Sequence, residues 1–114
     1  MNSGIHTVMY PTKDLGEAKK LYQTLLGVEP YVDQPYYVGF RLADQEIGLD
    51  PNGFAKGMSG PVTYYHVDDL KGLLTRLVEG GAEQRGEIQD VGGGKLIVSV
   101  ADADGNIFGL LQEA

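Results

Sequence analysis

The chain has 114 residues, enough for one compact domain and too few for two conventional domains joined by a linker. Hydrophobic residues make up 42% and charged residues 22%, ordinary globular values that exclude a collagen-like, coiled-coil or disordered chain. With 16 acidic against 9 basic residues the formal charge is -7, the wrong sign for nucleic acid or an anionic membrane surface, so neither is expected as a partner.

The sequence has no cysteine, which removes disulfides, thiolate metal sites, iron–sulfur clusters and a cysteine nucleophile. No apolar run reaches the roughly 18 to 20 residues of a membrane span. Met1-Asn2-Ser3-Gly4 lacks the basic and apolar regions of a secretory leader. A cytoplasmic protein is therefore expected.

Along the chain, Ile5 to Tyr10 is rich in β-branched and aromatic residues and reads as a strand ended by Pro11. A helix follows: Asp14 is placed to cap it, with Glu17 three residues on. Leu15, Ala18, Leu21, Tyr22, Leu25 and Leu26 recur at helical spacing, and Gly27 stops it. Three strand-like pieces come next, Val28 to Asp33, Tyr36 to Ala43 and Glu46 to Asp50, with turns at Gln34-Pro35 and Asp44-Gln45. After a loop from Pro51 to Pro61 the order repeats. Val62 to Val67 is a strand, Asp69 caps a helix carrying Leu70, Leu73, Leu74, Leu77 and Val78, and Gly80-Gly81 ends it. Glu83 to Gln89, Lys95 to Ala101 and Ile107 to Gln112 complete the series.

Matched landmarks support an internal repeat: Asp14-Leu15 with Asp69-Leu70, and Ile47-Gly48-Leu49 with Phe108-Gly109-Leu110. The expected fold is α+β, a single domain over 1–114 of two tandem βαβββ modules, about 4–50 and about 61–113. Paired, they would form a cup-shaped mixed sheet with the helices on its outer face.

Asp14-Leu15, Ala18, Leu21-Tyr22 and Leu26-Gly27 match a D-L…A…F-Y…L-G helix, and Asp102-Ala103-Asp104-Gly105-Asn106 matches D-P-D-G-N before a last strand. On these motifs nearly the whole chain resembles the vicinal oxygen chelate superfamily, the glyoxalase/bleomycin resistance protein/dioxygenase group. The resemblance implies a fold more than a chemistry, because one scaffold hosts many activities. It also implies where metal-dependent members hold their ion: a His seven residues before each capping Asp, and a Glu on the fourth strand of each module. Here those positions are Thr7, Val62, Gly48 and Gly109. None offers a charged or imidazole donor, so no metal and no cofactor is expected.

Strand alternation places Thr7 and Met9 on the cup face, with Gly48 and Asp50 on another strand and Val62, Tyr64, His66 and Gly109 in the second module. These are the candidate ligand-binding residues. Gly48 and Gly109 are expected to enlarge the cavity where a glutamate is missing. His6 is out of phase with Thr7 and is expected to be structural, whereas His66 is the candidate catalytic residue. An alternative set, His66 with Glu46 and Asp50, would hold one divalent metal or serve as an acid–base site. Seven Tyr and three Phe, with pairs at Tyr36-Tyr37 and Tyr64-Tyr65, put one ring of each pair on each sheet face.

Two look-alikes are discounted. Gly92-Gly93-Gly94-Lys95 lacks the setting of a phosphate loop, and Asp102 to Asn106 lacks the later glutamate of a calcium loop. The expected function is metal-independent binding of a small organic ligand, neutral or cationic and aromatic, such as an antibiotic or toxic metabolite. The alternative is an enzyme of the same fold, lyase-, isomerase- or dioxygenase-like, working through His66. A third reading is an interaction module whose sheet face a partner chain fills. The resemblance also implies a homodimer.

Overall fold

Both helices begin where a carboxylate can take up the free amides of a first turn. Asp14 Oδ1 accepts from Glu17 N at 3.1 Å, and Asp69 Oδ1 from Gly72 N at 3.1 Å. The second helix gains another cap from far along the chain, since Gln112 Oε1 accepts from Leu70 N at 2.8 Å. The first helix ends on Gly27, whose left-handed φ of 72° lets its N–H return to Gln23 O.

The computed structural model describes residues 2–114. Its elements run β1 (Asn2–Pro11), α1 (Leu15–Leu26), β2 (Val32–Gln34), β3 (Tyr37–Leu42), β4 (Gln45–Asp50), β5 (Val62–Val67), α2 (Leu70–Glu79), β6 (Glu83–Asp90), β7 (Leu96–Ala101) and β8 (Ile107–Gln112). The chain is α+β, with the βαβββ order occurring twice. It divides into two compact units. One is His6–Val62; the other is Thr63–Ala114 together with the start of β1 up to Ile5.

In the His6–Val62 unit, β1 runs parallel to β4, from Thr7 opposite Glu46 to Pro11 opposite Asp50. Strand β3 joins the other side of β4 antiparallel, and β2 closes the order against β3. One sheet face packs under α1. Val38, Phe40 and Leu49 are buried there against Tyr10, Leu15, Ala18, Tyr22, Leu26 and Ile47. The Tyr10 and Tyr22 rings lie 5.0 Å apart, and burial raises the Tyr22 phenol's pKa, with Tyr10 adding to it.

The other unit repeats the plan with β5 parallel to β8, β8 antiparallel to β7, and β7 antiparallel to β6. Its core is Val67, Leu70, Leu74, Val98, Val100 and Leu110, with the Tyr65 and Phe108 rings edge to face at 5.9 Å. Among the described residues no helix is long and apolar enough to cross a membrane.

Four local expectations need correction. Pro11 is part of β1, because a proline at a strand's end gives up only one ladder bond. The piece expected from Val28 to Asp33 is a strand only over Val32–Gln34; Pro30 precedes it, and Tyr31 N donates to Gly39 O at 2.9 Å. The β3–β4 turn is Ala43-Asp44, because Leu42 and Gln45 are partners. Finally, Leu21 and Leu25 are 65% and 70% exposed. Leu15, Ala18, Tyr22 and Leu26 already fill the stripe that reaches the sheet, and the other two leucines fall outside it.

Candidate functional site

In each unit one face of the strands lies under a helix, and the candidate site residues fall on the face away from it. In the first unit it carries Thr7 and Met9 from β1, Tyr37, Gly39 and Arg41 from β3, and Glu46, Gly48 and Asp50 from β4. Gly39 and Gly48 are direct cross-strand partners. The Tyr37 ring lies across both. A Cβ on Gly48 would stand 2.7 Å from the Tyr37 hydroxyl and 2.8 Å from its ring, with Met9 Sδ closer still; a Cβ on Gly39 would meet the same ring at 2.8 Å. The space expected above Gly48 is therefore filled by Tyr37 and Met9.

The second unit makes the same substitution with different residues. Tyr64 is paired with Gly109, and its ring covers the glycine so closely that an added Cβ would lie 2.8 Å from Cγ and nearer still to Cδ1 and Cε1. Neither glycine enlarges a cavity. An aromatic ring on a neighbouring strand occupies what the glycine leaves, as aromatic side chains do when a sheet glycine exposes backbone. His66 shares the Tyr64 face, is half-buried, and its carbonyl accepts from Ser3 Oγ at 3.2 Å. Val62, two residues before Tyr64, is buried.

Tyr37 is held in place by a carboxylate. Glu46 Oε1 accepts from the Tyr31 hydroxyl at 2.5 Å, and Oε2 accepts from the Tyr37 hydroxyl. Burial first, then the hydrogen bond to Glu46 and its charge, pushes Tyr31 up to about 12 despite the opposing Arg41 guanidinium. The same causes raise Tyr37 further. Both phenols stay protonated at neutral pH, each with its single O–H donated to Glu46, and neither acts as a base. The Arg41 guanidinium stacks on Tyr31, 4.3 Å from the ring centroid.

Sequence phase placed Glu46 beside Gly48 but missed this Tyr31–Glu46–Tyr37–Arg41 cluster. Tyr31 lies before β2, and nothing in its local pattern aims it at a residue 15 positions away. Asp50 proves committed elsewhere: 7% exposed, it accepts from Lys56 Nζ at 2.8 Å and from Asn52 N at 2.8 Å, anchoring the loop that follows β4. His6 meets Asp44 at 3.5 Å beside the hairpin turn. Among the described residues no three His, Asp or Glu side chains gather so as to hold a metal ion.

The model of the Glyoxalase/Bleomycin resistance protein/Dioxygenase superfamily matches residues 4–110. The chain belongs to this superfamily. Similar solved structures include a superfamily member from Vibrio splendidus 12B01, at 19% identity and TM-score 0.73 over 94% of this chain and 97% of that one. Methylmalonyl-CoA epimerase from Mycobacterium tuberculosis gives 19% and 0.73 over 99% and 89%. An Mn(II)-bound glyoxalase from Novosphingobium aromaticivorans gives 18% and 0.72, over 98% of this chain but 40% of its own. At these identities the likeness is one of superfamily fold. Among curated proteins no sequence matches.

Proposed function

We propose that this superfamily member binds a small aromatic molecule without using a metal. The observation that carries the reading is what stands at Thr7, Gly48, Val62 and Gly109, the positions where the sequence resemblance puts the metal ligands. Two have no side chain, and the room above them is taken by Tyr37 with Met9 and by Tyr64. A divalent ion needs several nitrogen or oxygen donors converging at about 2 to 2.6 Å, and these residues do not fit one. What the faces do offer is aromatic rings and a thioether, a lining suited to stacking. Cytoplasmic residence and pairing of two copies belong to the same reading.

The first test is metal content per chain after purification without added metal, before and after incubation with mixed divalent ions. No retained metal, and a melting point unmoved by chelator, is the expected result; close to one tightly held ion per chain refutes it. A thermal-shift screen of aromatic compounds follows, because a ligand at one hundred times its Kd stabilises the native state by about 2.7 kcal/mol.

A second reading, an enzyme acting through His66, is favoured by the epimerase and glyoxalase names of structural relatives. His66→Ala separates the two: lost turnover with folding intact supports the enzyme, and unchanged ligand affinity with no turnover in either form supports binding.

A further inference from the structure

Arg41 sits directly opposite Glu46 on the neighbouring strand, the placement that ordinarily gives a cross-strand ion pair. Here the pair does not form. Both Glu46 oxygens are taken by phenols, one by Tyr31 and the other by Tyr37. No described carboxylate comes within 4.0 Å of the Arg41 guanidinium. It rests instead on the ring of Tyr31, which is 45% exposed. In a chain of net charge -7, an arginine on the face away from α1 thus has its cross-strand acid held by two tyrosines.

We propose that Arg41 recognises the carboxylate of an aromatic ligand on the face of the first unit away from α1; this rests on the small-molecule reading above. A guanidinium presents a planar fork of donors that matches a carboxylate through two parallel hydrogen bonds. Tyr31 carries the guanidinium over its ring, and Glu46 holds both Tyr31 and Tyr37. Little side-chain freedom is then left to lose on binding. Beside the fork, the Tyr37 ring and the Met9 sulfur form an apolar carpet over Gly39 and Gly48, a surface for an aromatic body. The ligand carries one negative charge rather than several, because Glu46 and the net charge of the chain oppose each further one. The whole-chain charge suggests a neutral or cationic ligand; the local arrangement at Arg41 reverses that.

The test is calorimetric titration of the intact protein with 2-naphthoate, 2-naphthamide and 2-naphthyl phosphate, three probes with one aromatic body and different heads. Naphthoate binds at least about tenfold more tightly than the amide, in line with a charge-assisted pair. Arg41→Gln brings that ratio close to one, the loss falling mainly on naphthoate. Arg41→Lys, which keeps the charge and loses the fork, gives an intermediate ratio and carries the test if the glutamine variant does not fold. Equal binding of acid and amide by the wild type, or a preference that survives Arg41→Gln, overturns the proposal and leaves aromatic binding standing. Tighter binding of the phosphate overturns the choice of carboxylate. If none of the three binds, the proposal fails, and the broader reading is then judged by the thermal-shift screen alone.

Discussion

Placing a methyl group on Gly109 tests whether Tyr64 fills the space of a missing side chain. Gly109 is not among the glycines with positive φ, so the backbone accepts alanine, and the loss of chain freedom in the unfolded state alone would stabilise by about 0.4 to 1 kcal/mol. Against this, the new Cβ would stand 2.8 Å from Tyr64 Cγ and closer to Cδ1 and Cε1. Carbon contacts settle at about 3.5 to 4 Å, so the ring must retreat by on the order of 1 Å. Overpacking of this kind costs about 1 to 3 kcal/mol. Gly109→Ala is therefore expected to lose about 1 to 2 kcal/mol net, a fall in Tm of roughly 4 to 8 °C for a chain of this length. In a Tyr64→Ala background the same change meets no ring and stabilises slightly, giving a coupling of about 1 to 3 kcal/mol in a double-mutant cycle followed by thermal or urea unfolding. If Gly109→Ala shifts Tm equally with and without the tyrosine ring, the reasoning is wrong.

Glu46→Gln removes the charged acceptor of two phenols and should destabilise by about 1 to 2 kcal/mol, measured by urea unfolding. In the same variant Tyr31 should titrate below its raised value of about 12 yet above 10, because burial, the larger cause, remains; the NMR shift of the Tyr31 ring carbons followed against pH reads this for the single residue. The sign for stability follows from the raised folded pKa. Tyr31 contributes fully below pH 10, where both states are protonated, and the contribution is lost as pH rises from there through about 12. An unfolding free energy that stays flat across that range would contradict the cluster. Ala43→Gly should stabilise by about 0.5 to 1 kcal/mol in thermal melts, since Ala43 holds φ 56° at the first turn position of the β3–β4 hairpin, where glycine is at ease. Asp69→Ala should lose about 1 kcal/mol of stability through the uncapped α2, with the Gln112 cap limiting the damage; a loss below 0.3 kcal/mol would mean Gln112 alone suffices.

Much of this protein was determined by signals that act over a few residues. Asp14 and Asp69 mark helix starts because a carboxylate three residues before a free amide caps it wherever the helix later packs. Gly27 marks an end because its φ is open to few other residues. Alternation along β4 put Glu46, Gly48 and Asp50 on one face, and the structure keeps them there, since period two is a property of the strand itself. What tertiary structure decided was which side chains occupy the space those patterns leave. The glycines suggested room, but the register that sets Tyr64 against Gly109 joins segments distant in the chain, and the Tyr37 ring lies over Gly48 across the β3–β4 hairpin. The Tyr31–Glu46 bond spans 15 positions, and it depends on two rotamers and a loop path that no local period encodes. Asp50 read as a cavity residue until the following loop brought Lys56 back to it. Local propensity fixes where a side chain leaves the backbone; only the packed chain fixes what it meets, because that depends on the volume and hydrogen-bonding needs of partners from other strands.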